Sequence, residues 1–209
     1  MKNTATFILL TLAILSACNT KSLDERYNFK TFQADLNVLN TRKLLSDSDK
    51  TLLLYYIAET SDSQSLAKSY GQLLSDAKEK KEKEKALKEQ LTIKVSGKYI
   101  QQYTNANGNW KNYLIIEIAT TNNSSRNIEG FDVSLNFMNP ENQIFYSGEW
   151  NVDKTVAPHL TRVLPVNAGE YNNNVPDLVR LDGADLSKVK VDYLINSIVY
   201  DDGTALSLK

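Results

Sequence analysis

Up to Gln90 the apolar positions recur every three or four places, and beyond it every second place. The first period is that of a helix with one buried stripe and the second that of a strand with one buried face. Asn28 is a good N-cap and predicts a helix from there to about Leu45, with Phe29, Phe32, Leu36 and Leu39 on one face. Ser46-Asp47-Ser48-Asp49 then ends that helix and caps the next. This run lacks the alternating ligands, glycine and distal glutamate of a calcium loop, so capping is the preferred reading. The second helix holds Leu52-Leu53-Leu54-Tyr55-Tyr56-Ile57-Ala58, apolar nearly all round. Such a segment is expected to be buried between neighbours, with docking on lipid as the other reading.

A third helix is predicted to start near Ser63, with Leu66, Tyr70, Leu73, Leu74 and Ala77 as its stripe and Gly71 marking close packing. From Lys78 to Lys85 the stripe gives way to alternating lysine and glutamate. Glu79 with Lys83, and Glu84 with Lys88, stand at favourable four-residue spacing. The interleaved glutamates cancel a basic tract for anionic lipid or nucleic acid, so residues 78–90 read as a solvated helical linker.

From Leu91 the alternation is that of β-structure. Leu91, Ile93 and Val95 open a strand that continues to Tyr99; Leu114, Ile116 and Ile118 lie on one face of a second. Phe131, Val133, Leu135 and Phe137 alternate in a third, and shorter strands follow at residues 143–146, 160–166 and 189–195. Asp202-Gly203 turns a last hairpin between Ile198-Val199-Tyr200 and Ala205-Leu206. Short alternating strands separated by turn signals predict an antiparallel sandwich. The fold class is therefore α+β. A helical module of about three helices at residues 28–77, the last long and charged, and the linker at 78–90 precede a sandwich at 91–209.

The leader changes the picture most. Lys2 is followed by an apolar run from Ala5 to Leu15 and then Ser16-Ala17-Cys18. The run is about half the ~20 residues a membrane-spanning helix needs, so it reads as a signal peptide over residues 1–17. Leu15-Ser16-Ala17-Cys18 resembles the lipobox of bacterial lipoproteins. That resemblance implies cleavage between Ala17 and Cys18, a diacylglycerol thioether on Cys18 and a second acylation of its amine. Residues 18–27 then form a polar tether. Asn19, where enteric bacteria use aspartate for inner-membrane retention, points to the outer membrane.

Composition excludes more than it assigns. With 24 basic against 25 acidic residues the net charge is −1, which argues against phosphate-driven nucleic-acid binding. Cys18 is the only cysteine, so there is no disulfide or cysteine metal cluster, and no cofactor is expected. His159, the only histidine, stands between Pro158 and Leu160 with no nucleophile motif nearby, and reads as structural. Asp177, Asp182 and Asp185 gather near Gly183, and Asp201-Asp202 sit at the last hairpin. Calcium binding or paired-carboxylate hydrolysis could use them, but aspartate beside glycine is first turn chemistry. Trp110, Trp150, Tyr103, Tyr146 and Tyr171 fall at or near strand ends. They are read as core or edge packing, or as a platform for sugar rings or a protein partner.

Residues 113–118, the turn Asn122-Asn123-Ser124, Phe131-Asp132-Val133-Ser134-Leu135-Asn136-Phe137 and Val163-Leu164-Pro165-Val166 together resemble the FxLyD-type immunoglobulin-like sandwich. The chain departs from that pattern at Asn139–Asn142, where the family often has an acidic residue and glycine. Tyr70-Gly71-Gln72-Leu73-Leu74 before such a sandwich, and Asp202-Gly203-Thr204 at its end, resemble lipoproteins of Bacteroidetes-like bacteria. The resemblance implies a fold and a compartment and carries over no activity. The expectation is a non-catalytic, membrane-anchored envelope lipoprotein that binds or scaffolds another envelope protein, with glycan binding at the cell surface as the alternative.

Overall fold

A computed structural model describes residues 21–60, 67–104 and 107–208. The chain separates into two compact units, Met1–Lys81 and Glu82–Lys209. Helices come first and two antiparallel sheets follow, so the protein is α+β. Among the described residues no helix is long and apolar enough to cross a membrane.

In the helical unit, α1 spans Phe32–Thr41, shorter at both ends than the predicted 29–45. Asn28 does not cap it: its side chain accepts the Lys30 N–H at 3.0 Å and closes a turn. The Thr31 hydroxyl is spent on Asp35 Oδ2 at 2.8 Å, and Lys43 at φ 59° ends the helical path. Phe29 therefore falls outside the stripe and is 61% exposed, while Leu36 and Leu39 are fully buried. Helix α2, Asp47–Glu59, is capped as its sequence predicts, by the Ser46 hydroxyl accepting the Asp49 N–H at 3.1 Å. Only one of its faces is buried, through Leu53 and Ile57, and Tyr55 faces solvent.

Helix α3 runs from Tyr70 to Gln90 without interruption. Ser63 and Leu66 lie outside the described residues, and Ala67–Ser69 are not helical. A reciprocal capping box starts the helix: the Ser69 hydroxyl accepts the Gln72 N–H at 3.3 Å, and Gln72 Oε1 accepts the Ser69 N–H at 2.9 Å. Tyr70, Leu73 and Leu74 join Tyr27, Leu36, Leu39, Leu45, Leu53 and Ile57 in one core. Gly71 lies against backbone, for its N–H donates to the Leu23 carbonyl at 2.7 Å and a Cβ there would stand 3.2 Å from that oxygen. The far end of α3 is not polar all round, because Leu87 is fully buried within the second unit.

In that unit β1, Leu91–Thr104, follows α3 directly and pairs with β2, Trp110–Asn122. The other strands are β3 at Ile128–Met138, β4 at Ile144–Val152, β5 at Thr161–Glu170, β6 at Lys190–Tyr200 and β7 at Ala205–Ser207. One sheet has the order β1-β2-β5 and the other β4-β3-β6-β7. Both line a single core containing Leu91, Leu114, Ile116, Ile118, Phe131, Leu135, Phe137, Leu164 and Ile195. Residues 189–195 and 198–200, predicted as two strands, are one. A register shift against Asp132/Val133 resets the alternation, so that Ile195 and Ile198 both reach the core.

Candidate functional site

The carboxylates singled out from the sequence do not converge. Asp177 and Asp182 lie in a helix, α4 at Pro176–Gly183, instead of a loop. Pro176 opens that helix, Asp177 stands in its first turn and Arg180 in its last, each favoured there by the helix dipole. Leu178 and Leu181 bury its inner face, a three-residue spacing that the surrounding Asp and Gly disguised. The Lys98 ammonium donates to the Asp182 carbonyl oxygen and the Tyr171 hydroxyl to the Asp182 carboxylate. The second bond holds the phenol above its ordinary pKa. Asp185 accepts the Ser187 N–H and hydroxyl at 3.0 and 2.7 Å, which lowers its pKa.

At the last hairpin Asp202 accepts the Thr204 N–H and hydroxyl, and Asp201 accepts from Asn127 at 2.7 Å. Arg126 stacks 3.5 Å from the Tyr200 ring centroid and donates to Asp202 and Thr204, both at 2.9 Å, tying the β2–β3 turn to the hairpin. His159 is exposed in the turn before β5, at φ 58°. Among the described residues no three His, Cys, Asp or Glu side chains gather to hold a metal. Ala17 and Cys18 lie outside the described residues.

The predicted aromatic platform divides. The Trp150 indole donates to the Asn167 carbonyl at 2.7 Å and the Tyr146 hydroxyl to the Ala168 carbonyl at 2.9 Å. Both therefore close the outer edge of β5 and belong to packing; burial pushes the Tyr146 phenol up to about 12. An open hollow of about 570 Å³ beside Tyr146 is lined by Ala168, Glu170, Asp177 and Leu178. Tyr103 and Trp110 are exposed at the free end of the β1–β2 hairpin, 46% and 71%. Their cross-strand partners, Lys111 for Tyr103 and Thr104 for Trp110, put them on opposite faces of it.

Sequence reading missed the residues that surround Tyr103. Tyr113 packs edge-on against it with ring centroids 5.6 Å apart. Tyr99, 40% exposed, is paired with Ile115 two places along the same face. The pairings carry this face on to Pro165 and exposed Val163 of β5. Period-two alternation could have found them, since residues 99, 101 and 103 share a face, but a bulge between Val95 and Gly97 shifts the phase.

On the outer face of the other sheet the polar side chains of β3 are bonded to their neighbours. Asp132 accepts from Asn151 at 2.8 Å and Ser197 at 2.6 Å, Ser134 accepts from Asn196 at 2.9 Å, and Asn136 accepts from Ser147 at 2.7 Å. The first sheet thus shows solvent Tyr99, Tyr103 and Val163 beside Gln101 and the Lys111–Glu170 ion pair, while the second bonds most of its outer polar side chains to one another and exposes Ile144 and Val199.

No family model matches the chain, and no curated protein matches it. Among solved structures it is similar to the Northeast Structural Genomics Consortium target SoR45, at 8% identity and a TM-score of 0.30 over 57% of this chain and 80% of that one. It is also similar to the Salmonella enterica trimeric lipoprotein SadB, at 10% identity and a TM-score of 0.28 over 99% of this chain and 97% of that one. At these scores neither likeness bears on function.

Proposed function

We propose that this chain is a bacterial envelope lipoprotein, anchored through Cys18 in the outer membrane, whose two-sheet unit is a non-catalytic module that binds another envelope protein. The observation that carries the reading is the cluster of three tyrosines and Val163 on the outer face of β1-β2-β5, Tyr99, Tyr103 and Tyr113, two of them packed edge-on. Rigid rings supply contact area at low entropic cost and dominate the centres of protein interfaces. Sheet orders β1-β2-β5 and β4-β3-β6-β7 support an immunoglobulin-like arrangement of FxLyD type, as do the turns that Asn122 closes. The buried Asn122 amide donates to the carbonyls of Arg126 and Val156 at 2.7 and 2.8 Å, and its oxygen accepts the Ser124 N–H and hydroxyl.

A photo-crosslinking side chain at Tyr103 in the full-length lipoprotein, in living cells, tests the proposal. One discrete protein adduct from Tyr103 and none from Ser134, on the other sheet, is the expected result. Equal capture at both positions, or none at Tyr103, overturns it. Trp110, the most exposed large apolar side chain among the described residues, favours glycan binding as the second reading. Loss of oligosaccharide retention on a glycan array in W110A, with no protein adduct at Tyr103, would select it.

A further inference from the structure

The tether predicted over residues 18–27 is not a free spacer where the structure describes it. From Lys21 onward it is fastened to the helical unit. The Tyr70 N–H donates to the Glu25 carbonyl at 3.0 Å, the Gly71 N–H to Leu23 and the Tyr27 N–H to Lys68 at 2.9 Å; Arg26 bridges Ser69. Leu23 packs on the helical core, and Tyr27, 3% exposed, is part of it. The Lys21 ammonium lies 3.3 Å from Asp35 Oδ1 and 2.8 Å from Glu25, while its carbonyl accepts from Arg42 at 3.5 Å. Asp35 is 4% exposed and also accepts from Thr31 and from Tyr70 at 2.9 Å, so the first described residue is tied to the middle of the fold.

If Cys18 carries the lipid, only Asn19 and Thr20 separate it from this fastened segment. Three Cα–Cα steps reach at most about 11 Å. The polar headgroup layer takes up about half of that, roughly 5–7 Å on each side of the hydrocarbon. Phe29 at 61% and Leu44 at 45% are exposed on either side of α1, which meets Lys21 through Asp35; Tyr55, at 69%, lies on α2. Phe29 stands two places before Thr31, which shares Asp35 with Lys21, and Leu44 two places after Arg42, which bonds the Lys21 carbonyl. Lys30 and Lys43 adjoin them in sequence. Apolar side chains beside basic ones suit the boundary between acyl chains and anionic headgroups.

We infer that the helical unit is seated on the surface of the bilayer that holds the lipid, with Phe29 and Leu44, at the two ends of α1, dipping into its headgroup layer. The inference rests on the proposed lipidation of Cys18 and adds that the fastened segment begins too few residues from the lipid for the fold to stand clear of the headgroups. The test uses the full-length lipidated protein in vesicles of phosphatidylethanolamine and phosphatidylglycerol. An environment-sensitive fluorophore is placed at F29C or L44C, and nitroxide-labelled lipid serves as quencher. Strong quenching at both positions is expected, falling several-fold when ten Gly/Ser residues are inserted between Thr20 and Lys21. Lipidated protein that floats with the vesicles but shows no quenching at either position overturns the seating and leaves the anchor intact. Protein that carries no acyl chain and does not float overturns the anchor itself. Fluorescence and circular dichroism of the unlabelled F29A and L44A forms check that each variant folds.

Discussion

Among the described residues nine buried apolar side chains make the core of the helical unit, and twenty-one make that of the two-sheet unit. A small core buries a smaller share of its chain's surface and leaves less margin above the cost of ordering it. The two units also place their buried polar groups differently. In the helical unit Asp35 is a buried carboxylate that joins α1, the segment before it and α3 through Thr31, Lys21 and Tyr70. In the two-sheet unit the corresponding device is neutral: the Asn122 amide closes loops at the end of a core that needs no charge to hold it. A unit with few apolar contacts depends on a charged clamp, and a unit with many can use polar groups to shape its turns.

Four measurements press on that difference, and calorimetry that follows two unfolding transitions serves for the stabilities. Phe137 is fully buried in the two-sheet core, packed edge-on against Tyr146 at 5.6 Å. F137A is expected to cost about 3–5 kcal/mol in the transition of that unit alone. Loss from both transitions would mean that the units are not energetically separate. D35A should cost about 2–3 kcal/mol in the helical unit, because it strips a buried Tyr70 hydroxyl and Lys21 of a charged partner. A smaller loss than from a single core Leu→Ala change there would remove the clamp from the argument.

The third measurement is pH. Burial raises the Asp35 pKa, but the Thr31 and Tyr70 hydroxyls and Lys21 together outweigh it and hold it below the ordinary value of 3.8. Asp49 is lowered as well, first by its bond to Lys78 and then by Ser46. A carboxylate depressed in the folded state contributes stability above its unfolded pKa and loses it as pH falls through the folded one. The helical transition is therefore expected to drop as pH falls below about 4. Asp185 and Asp202 are lowered in the two-sheet unit by their own turn hydrogen bonds, but both are exposed and should move its transition less. Acid loss in the two-sheet unit first would reverse the comparison.

The smallest effects separate two glycines. A Cβ at Gly71 would press the Leu23 carbonyl, which offsets the helix-forming gain of up to about 1 kcal/mol, so G71A is expected to be neutral or slightly destabilising. Gly183 has nothing within 4 Å, and G183A should stabilise by about 0.5 kcal/mol.

Much of this architecture is legible along the chain wherever one local rule governs. Ser46 caps α2 through a bond three residues away, and the alternation of Phe131 to Phe137 survives in β3 without a change of phase. Reading fails where a local signal has two physical outcomes. Asn28 could cap a helix or close a turn, and it closes a turn. Asp and Gly around Leu178 and Leu181 suggest a loop, but the two leucines have a core to face, and a short helix forms. At the candidate site Tyr103 and Trp110 are visible as aromatic residues, but their separation onto opposite faces follows from cross-strand register.

The types and order of most elements, and the absence of any second cysteine or histidine, are properties of the sequence by itself. They rest on periodicity, composition and contacts a few residues apart. Only the tertiary structure decided that Lys21 meets Asp35, that Asp35 meets Tyr70 across 35 residues, and that Tyr99, Tyr103 and Tyr113 share a surface. Those partners are chosen by chain reversal and strand register, which no local spacing encodes.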